Sequence, residues 1–154
     1  MTGLSRLLRL AAIAWLVATA WAVAATAQEA ERLSIATKAG DRHVFQVEVA
    51  RTPDQRAQGL MYRRSMPADH GMLFDFEQVE PVSMWMQNTY LPLDMLFIRP
   101  DGTIARIAAN TEPLSTRTIP SGEPVLAVLE LNAGAAARLG IRPGDTVEHT
   151  LFKR

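Results

Sequence analysis

The apolar run at residues 125–131, VLAVLEL, constrains the fold of this 154-residue chain more than any other feature. Its first five residues are apolar at odd and even positions alike, so a strand made from them would bury both of its faces. Such a strand needs material packed on each side of the sheet. The run therefore predicts a central strand, with Glu130 near its edge.

Other short runs predict further strands around this one. Residues 33–37 and 45–49 alternate between apolar and polar on either side of a turn, which is typical of a β-hairpin. From residue 71 onward, the remaining apolar or alternating runs are 72–76, 82–86, 95–98, 104–109 and a last one near 147–151. About eight short strands and two short helices predict an α+β, mainly β domain, built as a small curled antiparallel sheet or a partly closed barrel.

Both helices are predicted from their boundary residues. Thr52, followed by Pro53 and by a Gln three positions after the Thr, has the spacing of a capping box with Pro at the first helical position. A second helix is predicted over 133–139, with Asn132 as its N-cap and Gly140 as its end.

Residues 1–27 have the pattern of a secretory signal peptide: two arginines, a short apolar run and a small-residue ending. We expect cleavage after Ala27, and an uncleaved membrane anchor is the alternative. The mature protein is then expected to be periplasmic or secreted, without a stable membrane anchor. Residues 28–32 are interpreted as a polar linker and 33–154 as a single domain.

Charge and composition exclude several classes of partner. Removal of Arg6 and Arg9 with the signal peptide leaves 14 basic against 16 acidic residues, a net charge of −2. A nucleic-acid partner needs a basic face and is not expected. There is no cysteine, so stability must come from packing. No cofactor motif is present either.

Metal and serine chemistry find little support. His43, His70 and His149 stand alone, without the spacing of a metal site, so none is predicted. A composite site of His70 with Asp69 and Asp75 is the alternative. The serines lack the setting of a hydrolase nucleophile.

The segment 84–94, MWMQNTYLPLD, places varied polar groups between two predicted strands. Trp85 and Tyr90 flank Asn88 and Thr89, a combination that suits a small polar or carbohydrate-like ligand through stacking and orienting hydrogen bonds. The alternative is structural: Asn88 and Thr89 close a backbone turn, and Trp85 belongs to the core.

Two carboxyl groups at the edges of apolar segments, Asp94 and Glu130, are the candidate catalytic residues. The alternative is that both are paired. Asp94 would accept backbone N–H bonds from the 91–93 loop, and Glu130 would form an ion pair with Arg63. In that case Arg63→Ala should destabilise the fold by about 3 to 5 kcal/mol.

Five blocks of sequence carry a family resemblance: GLMYR at 59–63, GMLF at 71–74, WMQNT at 85–89, PLD at 92–94 and LELNAG at 129–134. In order and spacing they resemble domain-of-unknown-function family 192, over roughly residues 44–147. The resemblance implies a small β-rich domain, often exported, of unestablished activity. The family pattern falls on Arg63, Trp85, Asn88, Thr89, Pro92, Asp94 and Glu130. This chain departs from the pattern at Met84, Gln87 and Ala127.

Three functional hypotheses follow, and the oligomeric state is left open. The first is a binding module for a small polar or carbohydrate-like ligand. Its predicted lining residues are Arg63, Trp85, Asn88, Thr89 and Asp94. The second is an acid/base hydrolase or lyase acting on an envelope substrate, with Asp94 working beside Glu130 or Arg63. The third is a structural or protein-interaction domain.

Overall fold

The computed structural model describes residues 29–153, so the predicted signal peptide and its cleavage site lie outside the described residues. The seven strands are β1 Glu31–Ala36, β2 Arg42–Ala50, β3 His70–Met84, β4 Leu93–Ile98, β5 Ile104–Ala108, β6 Ile119–Asn132 and β7 Thr146–Glu148. The helices are α1 Pro53–Gln58, α2 Ala135–Arg138 and a final 3-10 turn at Thr150–Lys153. Among these residues no helix is long and apolar enough to cross a bilayer.

All seven strands belong to one sheet, in the order β5-β4-β6-β3-β2-β1-β7. Neighbouring strands are antiparallel except β2 and β3, which are parallel. The sheet curls until its two edges approach each other: the Val147 amide donates to the Gly102 carbonyl at 2.8 Å, and the Ile104 amide to the Asp145 carbonyl at 2.9 Å. The prediction of a mainly β domain with a curled sheet and two short helices is confirmed.

The central strand is where the apolar run placed it. β6 lies between β4 and β3, and residues 125–131 are all buried. Two apolar clusters cover its faces. The inner cluster lies inside the curl and includes Leu129, Leu131 and Leu96. The outer cluster lies on the other face and includes Val128, Met95 and Phe74.

The structure corrects three predicted boundaries. The predicted strands at 72–76 and 82–86 are one 15-residue strand, β3, whose register against β6 shifts between Asp75 and Glu80. β1 begins inside the predicted 28–32 linker, because Glu31 pairs with Val47 of β2 and its carboxylate lies 2.8 Å from the Arg51 guanidinium. The last strand ends at Glu148.

The second helix also differs from its prediction. α2 has four residues, and Gly134 rather than Asn132 is its N-cap. Asn132 is instead the last residue of β6, and its side-chain amide donates to the carbonyls of Met66 and Pro67 at 3.0 and 3.1 Å. The capping box of α1 is present as predicted: the Thr52 hydroxyl accepts from the Gln55 amide, and the Gln55 side chain accepts from the Thr52 amide.

Candidate functional site

A pocket of about 220 Å³ opens on the outer face of the sheet. β3 contributes Phe74, β6 contributes Glu130, and the turn after α1 contributes residues 59–61. The segment that follows β3 contributes Trp85 and Thr89. The pocket therefore lies over the central strand, between the end of α1 and the polar segment that the sequence singled out.

Gly59 explains how the end of α1 comes close to the sheet. It ends the helix with a φ of 47°, a conformation that residues with a Cβ rarely adopt. A Cβ at this position would also lie 3.1 Å from the Phe74 ring. The glycine thus permits both the turn and the close approach of this wall of the pocket to β3.

Three loops are joined beside the pocket by backbone hydrogen bonds. The Tyr62 amide donates to the Asn88 carbonyl at 2.9 Å, and the Leu114 amide donates to the Thr89 carbonyl at 3.1 Å. Tyr62, Asn88 and Leu114 have positive φ angles of 64°, 55° and 63°. Strained conformations of this kind persist where surrounding bonds enforce them, and they concentrate at functional sites.

The turn interpretation fits Asn88, which does not line the pocket. Its carbonyl accepts the Tyr62 amide, and its side-chain amide lies 3.9 Å from the Met61 sulfur. Thr89 combines both predicted roles: its hydroxyl donates to the Gln87 carbonyl at 3.1 Å, and the residue lines the pocket. Trp85 is 48 % exposed, so its assignment to the core is wrong.

Glu130 is an acidic side chain buried at the pocket. Only 4 % of its surface is exposed. Among residues 29–153 no hydrogen-bond donor or cation contacts its carboxyl group. Burial raises the pKa of this carboxyl to about 8, because surroundings of low dielectric constant disfavour the charged form. At neutral pH the pocket therefore presents an uncharged carboxylic acid.

The predicted ion pair between Arg63 and Glu130 is wrong. The two terminal nitrogens of Arg63 lie 2.6 and 2.7 Å from the two carboxylate oxygens of Glu48. This hydrogen bonding raises the pKa of Arg63 and lowers that of Glu48. Glu48, Met72 and Glu130 are register partners across β2, β3 and β6. The Cα atoms of the two acids are therefore about 10 Å apart, two strand spacings. Arg63 pairs with the more exposed of the two.

Asp94 lies on the opposite face of the sheet from Glu130. It pairs in register with Leu131 of the inner cluster, whereas Glu130 pairs with Met95 of the outer cluster, and register partners direct their side chains to the same face. A catalytic pair of Asp94 and Glu130 is therefore wrong. Asp94 is fully buried and has no access to the outer pocket.

Both oxygens of Asp94 accept backbone hydrogen bonds. One accepts from the Asn110 amide at 2.9 Å and the other from the Ala136 amide at 3.0 Å. These donors come from the segment after β5 and from the first turn of α2, not from the predicted 91–93 loop. Because Gly134 has no side chain to cap α2, the carboxylate of Asp94 serves that purpose from β4.

Of the predicted ligand-binding residues, the structure places Trp85 and Thr89 at the pocket and Arg63, Asn88 and Asp94 elsewhere. Ligand binding by the first two stays a prediction. The pocket also has lining residues that were not predicted as site residues, among them Gly59, Met61 and Phe74. All three fall in the GLMYR and GMLF blocks, so position in these blocks was the available signal. No group of three metal-ligating His, Cys, Asp or Glu side chains occurs within residues 29–153.

Comparisons with known proteins agree with the fold. The family model of DUF192, described as Uncharacterized ACR, matches residues 34–149. A solved structure from Sinorhizobium meliloti 1021, provisionally described as a transcription regulator, is 59% identical with a TM-score of 0.77, covering 77% of this chain and 92% of that chain. A protein of unknown function from Novosphingobium aromaticivorans DSM 12444 is 40% identical with a TM-score of 0.78, covering 82% and 89%. No curated protein matches the chain.

Proposed function

Because this chain belongs to the DUF192 family, whose description gives no activity, we propose from its own geometry that it is a binding module for a small polar ligand. The ligand occupies the outer-face pocket over β6. The signal-peptide pattern of residues 1–27 supports the further proposal that the protein is exported and meets this ligand outside the cytoplasm.

The buried carboxyl group of Glu130 is the observation that carries the proposal. Buried polar groups in native proteins are nearly always hydrogen-bonded, and an unpaired one costs about 1 to 3 kcal/mol. This one lines a pocket, where a polar ligand can supply the missing partner. An acid over the central strand that reaches a pocket and has no partner among residues 29–153 is better explained by recognition than by packing.

Trp85 supplies the second half of the recognition. Trp85 is 48% exposed and lines the pocket, so its indole is accessible to a ligand that stacks on it. The ligand would thus contact an apolar surface on one side and the carboxyl of Glu130 on the other. Small-molecule sites commonly combine these features, an apolar lining with a few orienting polar groups.

The provisional description of the Sinorhizobium meliloti relative does not lead to a DNA-binding proposal here. The described helices α1 and α2 have six and four residues. DNA-reading helices enter the major groove with several side chains in contact with bases, and these two are short for that task. The predicted mature chain is also weakly acidic, which provides no electrostatic attraction to phosphates.

Thermal unfolding in the presence of defined small compounds tests the proposal. The set comprises monosaccharides, polyols, amides, amino acids and amines, each added to the full chain. A compound that occupies the pocket should raise Tm, since it binds the folded state alone. Trp85→Ala should abolish this shift, and Tyr90→Ala, which truncates an exposed aromatic residue that does not line the pocket, should keep it.

Two results would contradict the proposal. One is the absence of any stabilising compound in the set. The other is a stabilising compound whose effect survives Trp85→Ala and disappears in Tyr90→Ala, because binding would then occur outside the pocket.

A further inference from the structure

We propose that the ligand of this pocket carries a small organic ammonium group, which binds as a cation between the Glu130 carboxylate and the aromatic and thioether side chains around it. This inference rests on the proposed binding function and names the chemical class of its ligand.

Among residues 29–153 no cation contacts Glu130. Arg63 is held by both oxygens of Glu48. Arg56 is the one lysine or arginine that lines the pocket, and it is engaged elsewhere. Its guanidinium donates to the carbonyls of Arg51 and Asp75 at 2.6 and 2.8 Å and lies 3.5 Å from the carboxylate of Glu77. A cationic ligand would supply the counter-ion that the protein lacks.

The rest of the lining favours a cation over an anion. Phe74 and Trp85 line the pocket, and the faces of aromatic rings carry the negative side of the ring quadrupole, which attracts ammonium groups. Phe76 shows the same preference within the protein, because the Arg56 guanidinium lies 5.7 Å from its ring centroid. Met61 and Met84 add polarisable sulfur atoms. An anionic ligand would meet these rings and the acid of Glu130, and the one guanidinium in the lining, that of Arg56, is already engaged by two carbonyls and Glu77.

Binding of an ammonium ion changes the protonation of Glu130. Before binding, burial keeps its carboxyl protonated at neutral pH. On binding, the proton leaves the carboxyl for solvent, and the ammonium N–H groups donate to the resulting carboxylate. The net charge of the pocket is unchanged. The neighbours of Glu130 on β3 and β4 are Met72 and Met95, which do not titrate. Arg56 is a permanent cation.

This exchange makes the affinity depend on pH in a defined direction. One proton is released for each ammonium ion bound below the pKa of Glu130, which is about 8. The affinity should therefore rise about tenfold for each pH unit up to that value and then level off. A neutral ligand that accepts a hydrogen bond from the protonated acid would instead bind with constant affinity up to about pH 8 and lose affinity above it.

A matched pair of probes tests the inference: 3-methylbutylammonium and its neutral counterpart 3-methylbutan-1-ol. Titration of the full chain, followed by the NMR signals of Gly59 and the Trp85 indole, should give at least tenfold tighter binding of the ammonium ion at pH 8. Between pH 7 and pH 6 its affinity should fall about tenfold. Calorimetry in two buffers of different ionisation enthalpy should show release of close to one proton at pH 7.

Glu130→Gln and Glu80→Gln provide the variant and its control. Glu80 lies on β3 with its side chain exposed and does not line the pocket. Glu130→Gln should remove both the ammonium preference and its pH dependence, and Glu80→Gln should keep both. The proton release is measured on the unmodified chain, so the inference is testable even if Glu130→Gln does not fold.

Equal affinities for the two probes, a pH-independent ammonium affinity, or a preference retained in Glu130→Gln would each overturn the ammonium inference. If the alcohol alone binds at Trp85, the binding function stands and its ligand is neutral. If neither probe shifts the pocket signals, the ammonium inference is overturned, and the broader Tm screen decides the binding function separately.

Discussion

Asp94 and Glu130 are two buried acids on neighbouring strands of one sheet, and they differ in whether the fold provides hydrogen-bond donors to the carboxyl group. Asp94 faces the inner cluster and accepts two backbone hydrogen bonds. Glu130 faces the outer cluster without a partner among the described residues, and its pKa rises to about 8. At the inner face the fold itself supplies both donors to Asp94. At the outer face, Glu130 stays available to a ligand of the pocket.

The contrast teaches that burial alone does not identify a functional acid. Both residues are buried, and both lie within the family blocks of the sequence. They differ in what surrounds the carboxyl group: donors fixed by the fold in one case, a pocket in the other. Substitution of Asp94 should therefore lower the free energy of unfolding, and substitution of Glu130 should change how that free energy depends on pH.

The largest expected effect is that of Asp94→Ala. The change removes the acceptor of the buried Ala136 amide and of the partly buried Asn110 amide, so the free energy of unfolding should fall by about 3 to 5 kcal/mol. Urea unfolding of the purified protein measures this loss. Asp94→Asn keeps one acceptor oxygen and should lose less. A loss under about 1 kcal/mol for Asp94→Ala would show that Asp94 is not a structural anchor of the inner face.

Glu130→Gln should change the dependence of stability on pH. In the unfolded chain Glu130 ionises near its ordinary pKa of 4.5, whereas in the folded protein it does so near 8. Its contribution to stability is therefore complete below pH 4.5 and is lost as the pH rises to about 8. Relative to Glu130→Gln, the unmodified protein should lose about 1.4 kcal/mol per pH unit within this window. Urea unfolding at pH 5, 6, 7 and 8 provides the measurement, with Glu80→Gln as control. Parallel curves for the protein and Glu130→Gln would show that the acid is solvated.

Arg63→Ala should have a small effect, in contrast to the about 3 to 5 kcal/mol expected for a buried pair with Glu130. The pair with Glu48 is partly exposed, with 36% and 28% of the two side chains accessible. Pairs of this kind contribute about 1 kcal/mol or less. A double-mutant cycle should give coupling of Arg63 to Glu48 and none to Glu130. Coupling to Glu130 would contradict the assignment of the outer acid as unpaired.

The smallest expected effect concerns the joined loops beside the pocket. Leu114 has a φ of 63° and is 56% exposed, so its side chain contributes little packing. Asn tolerates this backbone conformation better than Leu, and Leu114→Asn should raise the free energy of unfolding by a few tenths of a kcal/mol. Thermal unfolding checks the direction. A loss above about 1 kcal/mol would mean that Leu114 packs against the fold.

The sequence predicted the elements that depend on local patterns. The β1 and β2 hairpin follows from alternation, the start of α1 from a capping box, and the central position of β6 from an apolar run with two buried faces. The 72–76 and 82–86 strands were separated because the polar residues between them interrupt the pattern. β6 nevertheless continues past them, and a register shift joins both pieces into β3.

The candidate site was predictable only in part. Trp85, Thr89 and Glu130 were named and lie at the pocket, because aromatic and polar side chains among apolar strands are conspicuous. Arg63 and Asp94 were named with them and lie elsewhere. Nothing local in the sequence shows that Arg63, in the segment after α1, contacts Glu48 on β2, because the two side chains meet only in the folded chain.

The sequence by itself determined a β-rich domain with a buried central strand and a small set of polar residues within it. The tertiary structure decided which of those residues share a face. The central strand β6 has β4 and β3 as its neighbours in space, and neither precedes or follows it directly in the chain, so their register fixes the neighbours of each acid. Side chains alternate between faces with a period of two. Asp94 therefore became a structural anchor, and Glu130 became an acid at a pocket with no partner among residues 29–153.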